Sequence, residues 1–439
     1  MRLHGTMELT KNGHLSIGGI NAIDLAKEYG TPLLVMDEEE IRNRCQEYRT
    51  AFQGTGIESE TIYASKAFLN PALCRILEEE GLGIDVVSGG ELYIAQTADF
   101  PMDKIYFHGN NKTPEEISMA LEANIGRFII DNMYELELIN QLAQKQGQEV
   151  EVQFRVKPGI KAQTHKYIQT GQVDSKFGIG IDSGRAMEVI RKAVHLSAIK
   201  VKGLHCHIGS QIFHLESFAK EAEILMDFCY QLRKELGITI EELNLGGGIG
   251  IPYTDKHPSI SIRKYALMVA DSLKKKGDEL NFPLPKIINE PGRYIVGTAG
   301  TTLYTIGSIK DIPDVRTYVA IDGGMTDNIR PALYNAEYDA MIANKGLKES
   351  DKEVTITGRC CETGDMLIHN LMVPGSIEPG DILAVSSTGA YTYSMASNYN
   401  GVLRMGIVLV RDGSAEIISR REEYQDLVRL ARIPQYLKK

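Results

Sequence analysis

The chain has 439 residues, of which 43% are hydrophobic and 24% charged, and its formal net charge is -10. This composition is typical of a globular enzyme, and the length favours two domains over a single core. The negative charge argues against a surface for nucleic acids or anionic membranes, because phosphate binding requires an excess of lysine and arginine. We therefore expect no nucleic-acid partner and no membrane association.

Six scattered cysteines include no C-x-x-C pair, so the sequence predicts neither a zinc ribbon nor a disulfide scaffold. We expect no metal site. The N-terminal residues MRLHGTMELTKNGH contain no apolar segment of the kind found in a signal peptide, and no apolar run has the length needed to cross a bilayer. These features predict a cytoplasmic location.

The first predicted elements are a short helix at residues 22–29 and a strand at residues 33–36. From about residue 60 to 290, β-rich runs alternate with helical patterns, which is typical of a parallel β/α barrel. One such pattern, at residues 215–236, places apolar side chains every three or four positions and predicts a helix packed on a sheet. The eight predicted barrel strands are residues 61–65, 84–88, 105–109, 127–131, 150–157, 201–208, 242–245 and 286–290.

Polar residues or glycines lie at or just after the end of every predicted barrel strand. In β/α barrels the carboxyl ends of the strands form the rim on which active sites are built, so this distribution predicts a site. The residues are Lys66, Asp85 with Ser88, His108, Asp131, Lys157, His207, Gly246 and Glu290.

After residue 298 the sequence consists of short β-rich runs separated by Gly, Pro and Asp, which indicates an all-β, barrel-like second domain. The predicted division is a barrel at residues 38–298 and a β-domain at residues 1–37 and 299–439. The strand at residues 33–36 can pair with this β-domain.

Lys66 and the three glycines that begin at Gly246 are the first candidates for chemistry. A lysine buried at a strand end loses hydration of its charged form, which lowers its pKa and leaves an amine able to form a Schiff base. On this feature alone a surface lysine is the more common alternative. Consecutive glycines after a strand let backbone N–H groups converge on an anion, although a simple tight turn has the same pattern.

His205 and His207 are two residues apart on a predicted strand and hence on one face of it. They fit a metal pair, a hydrogen-bonded core histidine or an imidazole stacked on a planar cofactor, and no third ligand motif supports the metal. The negative charge of Glu290 in NEPGRY could keep a pyridine ring nitrogen protonated, or Glu290 could form an ordinary salt bridge with Arg293.

Taken together, ten spaced motifs resemble the diaminopimelate decarboxylases. This family of pyridoxal-phosphate enzymes shares an alanine-racemase-like barrel with the ornithine and arginine decarboxylases. The resemblance extends from residue 3 to the last β segments. The motifs, in chain order, are YASKAF, DVVSGGEL, HGNNK, SKFG, GLHCHIGSQI, LNLGGGIG, EPGR, DGGMTDNIRPALY, CCETGD and TGAY.

The resemblance implies pyridoxal 5'-phosphate as the cofactor and assigns a role to each motif. Lys66 is similar to the Schiff-base lysine, His207 to the residue stacked on the ring, and Glu290 to the partner of the ring nitrogen. The implied catalytic residues are Lys66, His207, Glu290 and Cys361, the last as an acid near the reacting carbon. The implied cofactor contacts are Lys66, Asp85, His207, Ser210, Gly247, Gly248, Glu290, Arg293 and Tyr391. The implied substrate contacts are Arg293, Arg330, Tyr334, Glu362 and Tyr391.

The implied reaction is the decarboxylation of meso-2,6-diaminopimelate to L-lysine and carbon dioxide, the last step of lysine biosynthesis. In this family the CCETGD residues reach the site of a neighbouring subunit, which implies a homodimer with shared sites. Three alternatives stay open: an alanine racemase, a decarboxylase of ornithine, arginine or carboxynorspermidine, and a non-catalytic relative that acts as a regulator.

Overall fold

The computed structural model describes residues 1–159 and 175–438. The chain divides into two compact units. The barrel unit comprises Arg42–Ile251 and Pro258–Ile295. The sheet unit comprises Met1–Ile41, Pro252–His257 and Val296–Lys439.

The barrel unit is built on eight parallel strands that close into a ring, because Arg127–Ile130 pairs with Val150–Lys157. All eight predicted strands are confirmed, with ends that differ by a few residues. A ninth short strand, Ile179–Gly180, pairs with Val150–Lys157. The eight ring strands are Ser59–Ala64, Gly83–Val86, Ile105–Phe107, Arg127–Ile130, Val150–Lys157, Ile199–His205, Glu242–Asn244 and Lys286–Asn289.

Helices alternate with these strands, as the sequence pattern predicts. The predicted helix at residues 215–236 is observed as Glu216–Leu236, and its apolar face, including Phe218, Leu225 and Leu232, is fully buried. The remaining helices of this part of the chain are Glu38–Ala51, Pro71–Glu79, Gly89–Thr97, Pro114–Glu122, Met133–Gln146, Arg185–Ala193, Ile262–Leu280 and Arg293–Val296, with 3-10 turns at Ser65–Ala67 and Met102–Lys104.

The sheet unit is organised around the long strand Gly300–Ile312. This strand pairs antiparallel with Leu33–Asp37, Arg316–Ile321 and Ile382–Val385. The expected pairing of residues 33–36 with the C-terminal β segments is therefore confirmed. Leu33, Val35 and Leu303 belong to a common buried core.

Lys352–Thr357 and Gly406–Arg411 lie in β-rich runs that the sequence predicts, whereas the other short strands of the sheet unit are absent from the prediction. Its further strands are Glu8–Leu9, Leu15–Ile17, Ile20–Asn21, Ala340–Ile342, Lys352–Thr357, Met366–Val373, Gly406–Arg411 and Ser414–Ser419. Its helices are Ala22–Tyr29, Arg330–Tyr334 and Tyr424–Val428, with 3-10 turns at Tyr393–Met395, Tyr399–Gly401 and Gln435–Leu437. Among the described residues, we find no helix with the length and apolar character required to span a membrane.

Candidate active site

Lys66 lies on the 3-10 turn Ser65–Ala67, directly after the strand Ser59–Ala64. The expected burial of this lysine is wrong for the single chain, because its side chain is exposed. The position at the rim is nevertheless the expected one. The positive charge of Lys66 acts on Asp85 at the end of the neighbouring strand and on His207 across the rim.

Glu290 is buried beside the end of the strand Lys286–Asn289 and receives three hydrogen bonds. His108 Nε2 lies 2.7 Å from Oε1, Asn244 Nδ2 donates to the same oxygen at 2.6 Å, and His205 Nε2 lies 3.1 Å from Oε2. Burial acts to raise the pKa of Glu290, but His108 and His205 outweigh it and hold that pKa well below its usual range. Glu290 is therefore a carboxylate at neutral pH.

The environment of Asp85 shifts its pKa in the opposite direction. It is also buried, but its Oδ1 has no hydrogen-bond partner among the described residues. Burial therefore raises the pKa of Asp85, and the charges of His108 and Lys66 offset this increase only in part. Two carboxyl groups of one rim thus have pKa values moved in opposite directions, an arrangement that is common where acid and base roles are divided.

The two histidines of GLHCHIGSQ occupy different kinds of position. The strand ends at His205, so His207 lies in the following turn and not on the same strand face, which corrects the sequence interpretation. His207 Nδ1 accepts a hydrogen bond from the backbone N–H of Gly247 at 3.3 Å, and burial lowers the pKa of His207 well below its usual value. A neutral imidazole thus lies directly against the glycine turn.

His108, His205 and Glu290 bring three ligand-type atoms within 4.8 Å of one another. Hydrogen bonds already connect both imidazole nitrogens to the carboxylate oxygens. We therefore assign no metal to this cluster.

The glycine turn needs glycine because of close backbone contacts. A Cβ on Gly247 would lie 2.1 Å from the carbonyl oxygen of Glu290, and one on Gly248, whose φ is +113°, would lie 2.1 Å from the carbonyl oxygen of Gly209. Gln211 connects this turn to the HIGSQ turn, because its amide group donates to the oxygen of Ile251 at 2.8 Å and accepts from the N–H of the same residue at 3.2 Å.

Ser210 and Arg293 meet on the same rim. Arg293 is buried, and its Nη2 donates to Ser210 Oγ at 2.8 Å. Both residues flank the glycine turn in the barrel unit. Hydroxyl, guanidinium and backbone N–H groups are the donors that hold phosphate groups in proteins.

The other predicted residues belong to the sheet unit, where Arg330 is the buried centre of a group of tyrosines. Its Nε donates to Tyr338 Oη at 2.8 Å. Its guanidinium lies 5.6 Å from the ring centre of Tyr253, 5.5 Å from that of Tyr334 and 5.7 Å from that of Tyr391. Packing against aromatic faces fixes the direction of a guanidinium, which is a requirement for recognising a carboxylate through two hydrogen bonds.

Tyr391 ends the turn STGAY in a left-handed conformation, with φ of +59°. The turn is tight, because a Cβ on Gly389 would lie 1.8 Å from the carbonyl oxygen of Val296. A positive φ is uncommon for a tyrosine and costs free energy. The fold of the sheet unit therefore maintains this backbone conformation at Tyr391.

Cys361 and Glu362 are both exposed. The backbone N–H of Cys361 donates to Asn400 Oδ1 at 2.8 Å, and the buried Asp365 accepts the N–H of Cys360 at 2.8 Å. The CCETGD segment is therefore an ordered turn that presents a thiol and a carboxylate at the surface of the chain.

The barrel residues fit the pyridoxal phosphate that the sequence resemblance implies. The rim combines a lysine amine, an ionised carboxylate, a neutral imidazole and a glycine turn with nearby hydroxyl and guanidinium donors, which are complementary to an aldehyde, a pyridine nitrogen, a flat ring and a phosphate. Sequence reasoning missed Asn244 and Gln211. Both lie inside motifs that it identified, and the position of Asn244 just before the glycines was the available signal.

Known proteins share this architecture and sequence. Residues 38–297 match the family described as "Pyridoxal-dependent decarboxylase, pyridoxal binding domain". The chain is 47% identical to a diaminopimelate decarboxylase of Bacillus subtilis, with 98% of each chain covered. It is 48% identical to one of Bacillus methanolicus, with 96% of this chain and 98% of that protein covered. A crystal structure of diaminopimelate decarboxylase from M. jannaschii in complex with L-lysine has a TM-score of 0.92 and 41% identity, with 99% of each chain covered.

Proposed function

The chain belongs to the diaminopimelate decarboxylase family of pyridoxal-dependent decarboxylases, and on that premise we propose that it converts meso-2,6-diaminopimelate to L-lysine and carbon dioxide. This reaction is the last step of lysine biosynthesis. The observation that carries the proposal is the buried, ionised Glu290 on the same barrel rim as Lys66 and the glycine turn. A carboxylate in this position favours a protonated pyridine ring.

Pyridoxal phosphate, when bound, supplies an aldehyde for an amine and a ring that accepts the electrons of the breaking carbon–carbon bond. We assign its attachment to the amine of Lys66. Gly247, Gly248, Ser210 and Arg293 hold the phosphate, with Tyr391 as a further contact, and Asp85 completes the cofactor site.

Glu290 and His207 act on the cofactor ring in this assignment. The carboxylate of Glu290 keeps a proton on the ring nitrogen, because a nearby negative charge favours the protonated form of the base. His207 provides a flat, neutral face, since its pKa lies well below neutral pH. Neither residue adds positive charge that would compete with the protonated ring.

The substrate's distal end defines specificity. Arg330 binds the distal carboxylate, with Tyr334, Tyr391 and Arg293 as further contacts, and Glu362 binds the distal ammonium group. Bidentate binding by a guanidinium selects a second carboxylate, which ornithine and arginine lack. The tyrosine rings packed around Arg330 support this substrate over ornithine and arginine.

We propose a homodimer in which Cys361 and Glu362 of one copy act at the Lys66 site of the other. Their exposure on an ordered turn supports this arrangement, and Cys361 is the proposed acid at the reacting carbon. A cytoplasmic location is a further proposal, supported by six free cysteines, since thiols persist in reducing compartments.

Glu290 argues against a racemase, because racemases of this fold place an arginine beside the ring nitrogen. A non-catalytic regulator would have no need for the combination of Lys66, Glu290 and Cys361. The proposed function therefore accounts for more of these residues than either alternative.

The direct test is to incubate the purified protein, reconstituted with pyridoxal phosphate, with meso-diaminopimelate and to measure lysine and carbon dioxide. Equimolar release of both products is expected, with no product from ornithine or arginine. Release from ornithine at an equal rate, or no release from any amino acid, would refute the assignment.

The dimer is tested by mixing Lys66→Ala and Cys361→Ala proteins, each of which is expected to be inactive alone. After exchange of subunits, about a quarter of the wild-type sites are restored if each site uses both chains. A mixture that stays inactive while the subunits exchange would contradict the shared site.

A further inference from the structure

The Glu290 carboxylate is held by two histidines as well as by an asparagine. We propose that His108 and His205 are positioning residues that keep Glu290 ionised and aimed at the cofactor's ring nitrogen, so that the shared proton stays on the nitrogen. We call these two residues the histidine pair. This inference rests on the proposed function, because it assigns to the pair the control of Glu290 as the partner of the ring.

The geometry fixes which nitrogen of each histidine carries hydrogen. An ionised carboxylate only accepts hydrogen bonds, so the Nε2 atoms of His108 and His205, at 2.7 and 3.1 Å from its oxygens, must both be donors. The Nδ1 atom of His205 is buried without a hydrogen-bond partner among the described residues. A neutral ring protonated at Nε2 leaves that Nδ1 as a bare acceptor, which agrees with its surroundings.

Burial supports the neutral state of His205. It lowers the pKa of His205 to about 4, although Glu290 acts in the opposite direction, so the ring carries no charge at neutral pH. The His205 side thus contributes a hydrogen bond to Glu290 without a formal charge, and the carboxylate keeps its negative charge for the ring nitrogen.

The histidine pair is held in a fixed arrangement. The two imidazole rings meet edge to face, with ring centres 4.8 Å apart and planes at 73°. In this arrangement His108 donates to Oε1 of Glu290 and His205 donates to Oε2. Asn244 adds the third donor, and its own Oδ1 accepts the N–H of Gly246 at 2.9 Å, which ties the carboxylate to the glycine turn.

The three hydrogen-bond donors to Glu290 affect whether a proton shared with the ring nitrogen lies on the nitrogen or on the carboxylate. In a hydrogen bond between a carboxylate and a pyridine nitrogen, the proton lies on the group with the higher pKa. The donors lower the pKa of Glu290 despite its burial, whereas Asp85, whose Oδ1 has no such donor, has a raised pKa on the same rim. The histidine pair therefore favours a protonated ring, which is the stronger electron acceptor.

The test compares two compounds that differ only at the ring nitrogen. We would measure the affinity of the cofactor-free protein for pyridoxal phosphate and for its carbocyclic analogue, in which C–H replaces the ring nitrogen. The variants are His108→Phe and His205→Phe, which keep a ring but lose the donor. His108→Gln and His205→Gln restore an N–H donor, and His195→Phe, at an exposed position of the barrel unit, is the control.

Wild-type protein and the control variant should prefer pyridoxal phosphate over the analogue. Each Phe variant should lose about tenfold of that preference, since one pKa unit at Glu290 corresponds to a factor of ten. The Gln variants should recover most of it. Unchanged preference in Phe variants that fold with wild-type circular dichroism would overturn the proposal.

A second readout needs no cofactor. In infrared pH titrations of the cofactor-free protein, the carbonyl band of protonated Glu290, identified by its loss in Glu290→Gln, should appear at a pH about one unit higher in the Phe variants than in wild type. A band that appears at the same pH in wild type and in the Phe variants would contradict the proposed role of the pair. If the Phe variants do not fold, His108→Leu and His205→Leu, which also lack the donor, take their place: a preference below that of the Gln variants supports the pair, and an equal preference overturns it. Wild-type protein that binds neither compound would refute the proposed function itself, while the infrared result still tests the pair.

Discussion

A buried carboxyl group outside the proposed chemistry should contribute to the pH dependence of stability. Glu221 lies on the helix Glu216–Leu236 with no exposed surface, and neither of its oxygens accepts an N–H or O–H hydrogen bond from the described residues. Burial raises its pKa from 4.5 to about 8, and the Cys206 thiol opposes this only in part. The folded chain therefore holds a proton that the unfolded chain releases.

The sign of the effect follows from this difference. Below pH 4.5 both states hold the proton and stability is unaffected; as the pH rises towards 8 the unfolded state is increasingly favoured. At about 1.4 kcal/mol per unit, the full interval corresponds to roughly 5 kcal/mol as an upper limit. Glu221→Gln removes this dependence, so the variant should gain roughly 3 kcal/mol relative to wild type between about pH 5.5 and pH 8.

The assay is urea-induced unfolding of the cofactor-free protein at several pH values, followed by far-UV circular dichroism because the chain contains no tryptophan. Any pH-independent cost of the glutamine cancels in the comparison. Glu223→Gln, on the same helix, is the matched control. Burial acts to raise the pKa of Glu223, but hydrogen bonds from Lys220 and Ser272, with the positive charges of Lys220 and Lys276, together outweigh it and lower that pKa. A difference between Glu221→Gln and wild type that stays constant across this pH range would refute the reasoning.

Three further predictions concern the site. Glu290→Gln should lower kcat roughly a hundredfold with little change in cofactor affinity, since the ring loses a negative partner; unchanged kcat in steady-state assays would remove its role. Gly247→Ala should weaken pyridoxal phosphate binding more than tenfold in fluorescence titrations, because the added Cβ meets a carbonyl oxygen at 2.1 Å, whereas Gly307→Ala, whose nearest atom lies at 3.6 Å, should bind normally. Equal affinities would contradict this steric argument. Arg330→Lys should raise KM for diaminopimelate about tenfold more than it lowers kcat, because a planar two-donor group is lost; an unchanged KM would point to another carboxylate partner.

The barrel was predictable because its pattern is local. Each strand is a short apolar run that ends in a polar residue, and each helix has its own apolar face, so all eight strands could be placed. The strands Ala340–Ile342 and Met366–Val373 were missed because they lack a clear apolar alternation. Their pairing with Ile382–Val385 and Lys352–Thr357 depends on contacts distant in sequence.

The contacts inside the site were only partly predictable. The sequence indicates that His108 and Glu290 share a rim, but 182 positions separate them, and their hydrogen bond is a consequence of barrel closure. The sequence did not distinguish a core role from a metal-binding role for His205, because it does not show which carboxylate faces this residue. The burial expected for Lys66 was wrong because the pattern around a residue indicates its place on a strand and not the accessibility of its side chain.

The attachment of the cofactor to Lys66 is the claim on which the account depends, and it can be measured directly. The protein would be incubated with pyridoxal phosphate, reduced with borohydride to fix any imine, digested and analysed by mass spectrometry. We predict a pyridoxyl group on the peptide that contains Lys66 and its loss in Lys66→Ala. A modification on another lysine in the wild-type protein, or no modification at all, would contradict the account.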